Sequence, residues 1–152
     1  MGGYGASLLA VKFPELFSVC INYDGGMWNW EDMISKSRKW QPVVPILFDN
    51  DKIYYESNSS PWKFADINKD KIKGRLQFRI LVGSLGLRLQ KWQNHLNSLG
   101  IEMDYVDTVC RHNLKCLHEK AGDGSFQLMA EQFAKAMASK AKTSEELKAE
   151  GK

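Results

Sequence analysis

Cys110-Arg111-His112-Asn113-Leu114-Lys115-Cys116-Leu117-His118 brings four side chains that could ligate a soft metal or move a proton into nine residues. Structural zinc sites pair ligands two to four residues apart on separate elements, and the chain has no C-x-x-C or H-E-x-x-H, so the spacing argues against a metal. Of the three histidines, His95 and His118 fall within helical patterns and read as packing or solvent-facing residues. His112 lies on a loop, where an imidazole is as readily a surface residue as a general base. Lys69, Lys71, Lys73, Arg75 and Arg79 form a basic stretch able to touch phosphate, more simply read as a solvated helix end and loop. The cysteines, Cys20, Cys110 and Cys116, are an odd and sparse set that cannot build a disulfide framework, so reduced thiols are expected.

These side chains need elements to position them. Ala6 to Phe13 has the apolar spacing of a short helix closed by Pro14, so a helix is expected to start almost at residue 1. Phe17 to Tyr23 is a β-rich run ended by Asp24-Gly25-Gly26 and predicts a buried strand feeding a loop. Residues 27–61 are irregular, with Trp28, Trp30, Trp40, Tyr54 and Tyr55 among charges and prolines, and read as an excursion over the sheet. Ser60-Pro61 pairs a cap residue with proline at the first helical position and predicts a helix to about Lys71. Phe78 to Val82 predicts a second strand, Leu87 to Leu99 a helix stopped by Gly100, and Ile101 to Val109 a third strand. Phe126, Met129, Ala130, Phe133 and Met137 share one face of a final predicted helix. Strands alternating with helices across short joints predict an α/β fold, a short, mostly parallel sheet flanked by helices. The expected organisation is one domain over 1–137, with the excursion at 26–60, followed by a charged helical or frayed tail over 138–152.

Composition narrows the function classes. The 152 residues are 43% hydrophobic and 26% charged, enough for a core that hides roughly two-thirds of the unfolded surface. The net charge of +3 falls well short of a dedicated nucleic-acid binder. No apolar run approaches the roughly 20 residues that span a bilayer, and no basic flank precedes an apolar stretch at the start, so neither a membrane span nor a signal peptide is expected.

Three blocks resemble a known family. Met1-Gly2-Gly3-Tyr4-Gly5-Ala6, Phe13-Pro14-Glu15-Leu16-Phe17 and Tyr23-Asp24-Gly25-Gly26 are similar to the segment after the nucleophile in the α/β-hydrolase esterase family that includes feruloyl-esterase-like enzymes. Ser60-Pro61-Trp62, the strand ending Leu81-Val82-Gly83, and His112-Asn113-Leu114 resemble that family's later blocks in the same order, so the likeness covers residues 1 to about 135. It implies the C-terminal half of an α/β-hydrolase fold and a serine carboxylic ester hydrolase, with His112 as the base on the loop after the third strand.

In that family the nucleophile stands in G-x-S-x-G. If Met1 and Gly2 are the last two positions of that motif, the Ser lies just upstream of residue 1, and Met1 and Gly2 are what remains of the oxyanion site. No Ser here has Gly both two before and two after it: Ser7 has Leu9 after it, and Ser84 has Val82 before it. The family's usual acid position looks like Gly86, and from Lys71 through Ile101 there is no Asp or Glu. Some lipases of the superfamily take the acid from the end of the previous strand, where Asp24 stands, so Asp24 is a substitute acid; the other reading is a turn Asp bonding its own backbone ahead of two glycines. Trp28, Trp30 and Trp62 are expected to line an acyl or aryl pocket, or else to cover the apolar sheet face.

The expectation is therefore a fragment, or truncated product, of a serine esterase, inactive alone for want of its nucleophile. The alternative is a non-catalytic binding or interaction protein, a pseudoenzyme derived from a hydrolase half-domain. The resemblance implies no metal or organic cofactor and an ester substrate once completed; charge and hydropathy predict no nucleic-acid or membrane partner, and a half-sheet with an open edge predicts self-association.

Overall fold

The computed structural model describes residues 2–35 and 43–150. Met1, Trp40 and Pro42 lie outside the described residues.

Helix α1 spans Gly2–Lys12 and stops ahead of Pro14, strand β1 spans Val19–Tyr23, and the chain then makes three short helices, α2 (Trp30–Ile34), α3 (Val43–Phe48) and α4 (Lys52–Asn58). Asn29 caps α2 by accepting the Asp32 N–H at 2.8 Å, and Asp51 caps α4 by accepting the N–H groups of Ile53 and Tyr54. Helix α5 (Pro61–Ile72) opens on Ser60 as cap with Pro61 in its first turn, as the sequence predicts. Strand β2 (Gln77–Val82), helix α6 (Gly86–Ser98), strand β3 (Met103–Asp107) and helix α7 (Leu114–Glu150) complete the chain.

The strands form a parallel sheet in the order β1-β2-β3, with Ile21 beside Arg79 and Arg79 beside Asp104. The fold is thus mixed α/β. Side chains alternate between the two faces. One face presents Cys20, Phe78, Ile80 and Val82, buried beneath Ala10 and Val11 of α1, Ala65 and Ile72 of α5, and Leu89, Trp92 and Leu96 of α6. The other presents Ile21, Tyr23 and Leu81 to Cys110, Cys116, Leu117 and Ala121 at the start of α7. The Arg79–Asp104 ion pair lies on this second face, with the Arg79 guanidinium packed against Gly124 of α7. The excursion has its own small core of Trp30, Met33, Val44 and Tyr55.

The first helix begins at Gly2, close to residue 1 as the sequence predicts, and packing on β1 and α5 sustains turns whose glycines are poor helix formers. Two expectations change. The third strand is shorter than 101–109: the Thr108 hydroxyl turns back to donate to the Val82 carbonyl at 2.7 Å, and Val109 is left-handed at φ 52°. The final helix begins at Leu114, twelve residues before Phe126, because Asn113 accepts the Cys116 N–H at 3.0 Å and starts it there. It then runs past residue 137 without a break, and the stripe that shares one of its faces is turned to solvent, with Phe126 54%, Phe133 55% and Met137 73% exposed. Among the described residues no helix is long and apolar enough to cross a membrane.

Candidate functional site

Asp24 follows the last residue of β1 and has a left-handed backbone, φ 48°, which turns its side chain across the carboxyl ends of the strands. Register explains what it meets. Tyr23 lies beside Leu81, so the next residue on β1 arrives beside Val82-Gly83, and the Asp24 N–H donates to the Leu81 carbonyl at 2.8 Å. Oδ1 of Asp24 accepts the Gly83 N–H at 2.8 Å and the Leu85 N–H at 3.1 Å. Oδ2 accepts from Nδ1 of His112 at 2.9 Å. The carboxylate is fully buried whereas the imidazole is 62% exposed, so the acid end is dry and fixed and the base end reaches solvent. The alternative of a turn aspartate bonding its own backbone does not describe Asp24. Asn22 takes that part, accepting the Gly25 N–H at 2.7 Å.

A carboxylate holding Nδ1–H fixes the imidazole in the tautomer whose Nε2 lone pair can accept a proton, and orients the ring while doing so. Nε2 of His112 has no hydrogen-bond partner among the described residues. His112 lines an open cleft of about 420 Å³ together with Gly2, Gly3 and Ala6 of α1, Ile21 and Tyr23 of β1, and Leu114 and Leu117 of α7. The first turn of α1 thus faces the histidine across the cleft, and its unpaired N–H groups form the positive end of a helix. Gly2 stands in that turn, while Met1, the other expected oxyanion residue, lies outside the described residues.

Asn22 ties this turn to the acid. Its buried amide donates to the carbonyls of Gly3 and Gly25 and to the Ser7 hydroxyl, and a Cβ at Gly3 or Gly25 would collide with the opposing backbone. Gly83 serves the same purpose on the other side: a Cβ there would lie 2.9 Å from the carbonyls of Cys110 and Arg111, so only glycine lets the histidine loop sit down on the acid's turn.

Two expectations about side chains are corrected. None of Trp28, Trp30 and Trp62 lines the cleft beside His112. Trp28 packs over Gly26 and beneath Arg88, Trp30 is buried against Tyr55 in the excursion core, and Trp62 of α5 sits edge-on to Trp92 of α6 beside His95. Their apolar area goes to covering the sheet and the excursion. The expectation of reduced thiols fails for two of the three cysteines, since Cys110 and Cys116 are bonded to each other across the first turn of α7. Only Cys20 is free, and burial pushes its thiol up to about 12, partly offset by a hydrogen bond with Ser7. Among the described residues no group of three or more His, Cys, Asp or Glu side chains is placed to hold a metal ion.

His95 stacks on Trp92 and pairs with Asp66, and His118 packs edge-on against Phe126. Within the basic stretch, Arg75 donates to the carbonyls of Pro14 and Glu15, and Arg79 is taken by Asp104. Residues that sequence reasoning missed are Asn22, the Gly83 and Leu85 N–H groups and the Cys110–Cys116 bridge. The buried polar Asn at the end of an apolar strand, Val19-Cys20-Ile21-Asn22, is the one signal that could have pointed to the first. No family model matches the chain, and no curated protein or solved structure gives a significant match.

Proposed function

We propose that the chain supplies the acid and base of a serine carboxylic ester hydrolase of α/β-hydrolase type, as the C-terminal part of that fold, with the nucleophile contributed by sequence upstream of Met1. One observation supports this above the others: the buried Asp24 carboxylate holds His112 by Nδ1 at 2.9 Å, at the carboxyl end of a parallel sheet, in the cleft that the first turn of α1 faces. The resemblance implies a base on the loop after the third strand, and His112 follows β3. The acid comes from the end of β1 rather than from the Gly83–Gly86 loop, whose backbone serves instead as donor to that acid.

In the completed site a Ser hydroxyl at the entrance to α1 attacks the ester carbonyl while Nε2 of His112 takes its proton. Backbone N–H groups at the helix N-terminus stabilise the oxyanion of the tetrahedral intermediate. The imidazolium, steadied by Asp24, then returns the proton to the departing alkoxide, and water attacks the acyl-enzyme with His112 again as base. On this reading the 152 residues carry the proton machinery and the attacking oxygen comes from outside them, so alone they should show no ester turnover.

The assay is hydrolysis of a nitrophenyl ester by the chain as given, and by the chain extended with an upstream segment ending in Gly-x-Ser. Turnover only in the extended protein, abolished by His112→Ala, is expected. Turnover by the 152 residues alone, abolished by the same substitution, would show that the nucleophile lies within them and overturn the proposal.

A second reading, a non-catalytic interaction protein, is favoured by the exposed Phe126, Phe133 and Met137 on α7 and by β1, whose outer edge has no paired strand among the described residues. Both features promote self-association. Specific partner binding by a folded, extended protein without ester turnover would select this reading.

A further inference from the structure

We propose that the Cys110–Cys116 disulfide is a thiol–disulfide switch on His112, holding the imidazole on Asp24 when oxidised and releasing it when reduced by a dithiol. The proposal rests on the Asp24–His112 pair and is independent of whether an ester is the substrate.

The bridge joins residues six apart and spans His112 together with the Asn113 that starts α7. Inside that ring the histidine side chain has little else to hold it. It is 62% exposed, and Asp24 is its one polar partner among the described residues. The approach to the ring is strained, since Val109, immediately before Cys110, is a β-branched residue at φ 52° and 94% exposed. A left-handed valine persists only where its surroundings over-determine it. Upstream, Thr108 restrains the turn by donating to the Val82 carbonyl and accepting the Cys110 N–H. Downstream, the side chains of Arg111, His112, Asn113 and Leu114 are all exposed, and the loop is held by the Cys110 and Arg111 carbonyls lying against Gly83, by Asn113, which accepts the Cys116 and Leu117 N–H groups, and by the covalent bond to Cys116. The acid, by contrast, stays put through two backbone N–H groups of another loop. Opening the bridge therefore frees the base without moving the acid.

The chemistry balances with a dithiol as the reductant. One of its thiolates attacks a sulfur of the Cys110–Cys116 bond, that bond breaks, and a mixed disulfide forms with the other protein sulfur leaving as thiolate. The second reductant thiol then displaces the protein sulfur, leaving two cysteine thiols on the protein and a disulfide on the reductant, a transfer of two electrons and two protons. Cys20 is no competitor, being buried with its thiol held protonated.

The test is long-range proton–nitrogen correlation of the imidazoles at alkaline pH in the full chain, before and after dithiothreitol, with His95 and the buried Trp92 indole as reporters of the remaining fold. In the oxidised protein His112 should show a single tautomer with the proton on Nδ1. Reduction should replace that pattern with an averaged one, leave His95 and Trp92 unmoved, and reverse on reoxidation. The double variant Cys110→Ser, Cys116→Ser should show the averaged pattern without reductant and ignore dithiothreitol. Iodoacetamide labelling checks that the two thiols are closed before reduction and open after it. An unchanged His112 pattern with both thiols labelled would overturn the switch, as would joint collapse of the His112, His95 and Trp92 signals, or labelling of both thiols without reductant. Absence of ester turnover in the extended protein would leave this result untouched.

Discussion

The two faces of the sheet are finished to different degrees. On one, α1, α5 and α6 bury Phe78, Ile80, Val82 and Trp92 almost completely. On the other, the single helix α7 shields Leu81 with Leu117 but leaves Ile21 and Tyr23 half-buried and turns Phe126, Phe133 and Met137 to water. A parallel sheet normally carries helices on both faces. The candidate site stands at the border between these regions. Its acid is anchored in the finished part, where desolvation and two backbone donors fix it, and its base rides on a loop of the unfinished part.

The contrast is open to measurement. Trp92→Ala, on the covered face, should cost about 3–5 kcal/mol in urea unfolding, because a fully buried ring leaves a cavity that packed neighbours cannot close. At the border, Asp24→Ala should cost roughly 1–3 kcal/mol by stranding the Gly83 and Leu85 N–H groups. The covered face also sets an alkaline limit. Burial raises the Cys20 thiol from 9.0 to about 12, and raises the Tyr4 and Tyr55 hydroxyls as well, so the folded state keeps protons that the unfolded chain gives up. Stability should be full below pH 9 and fall as pH rises from there toward 12, by about 1 kcal/mol per pH unit at the steepest for one such group. Unfolding midpoints that stay level across this window would refute that assignment. The smallest effect belongs to the open face, where Phe133→Ala should change stability by no more than about 0.5 kcal/mol while sharpening the elution of the chain on a sizing column. A loss comparable to that of Trp92→Ala would mean the stripe on α7 is covered in solution.

Much of the fold was legible because its signals are local. Ser60-Pro61 starts a helix, Gly100 ends one, and Phe78 to Val82 reads as a strand from its own residues. The start of α7 was missed because it depends on one capping Asn, and the length of β3 because Thr108 hydrogen-bonds to a residue on another strand. Of the site, His112 could be named from the resemblance alone, whereas its partner lies 88 residues away. Choosing Asp24 over the turn reading needed the β1–β2 register, which sets the end of β1 beside Gly83. The tryptophans misled because an aromatic-rich stretch is equally a pocket wall and a core, and three-dimensional packing assigns it.

Asp24 as the acid of the pair is the centre of this account. The most direct measurement is the kcat of the extended, Ser-bearing protein on a nitrophenyl ester with and without Asp24→Asn, a substitution that keeps the shape of the side chain. A loss of kcat on the order of 10³- to 10⁴-fold with KM little changed is expected, as for a triad whose histidine is left in the wrong tautomer. An Asp24→Asn protein that keeps its kcat within a few-fold would contradict it.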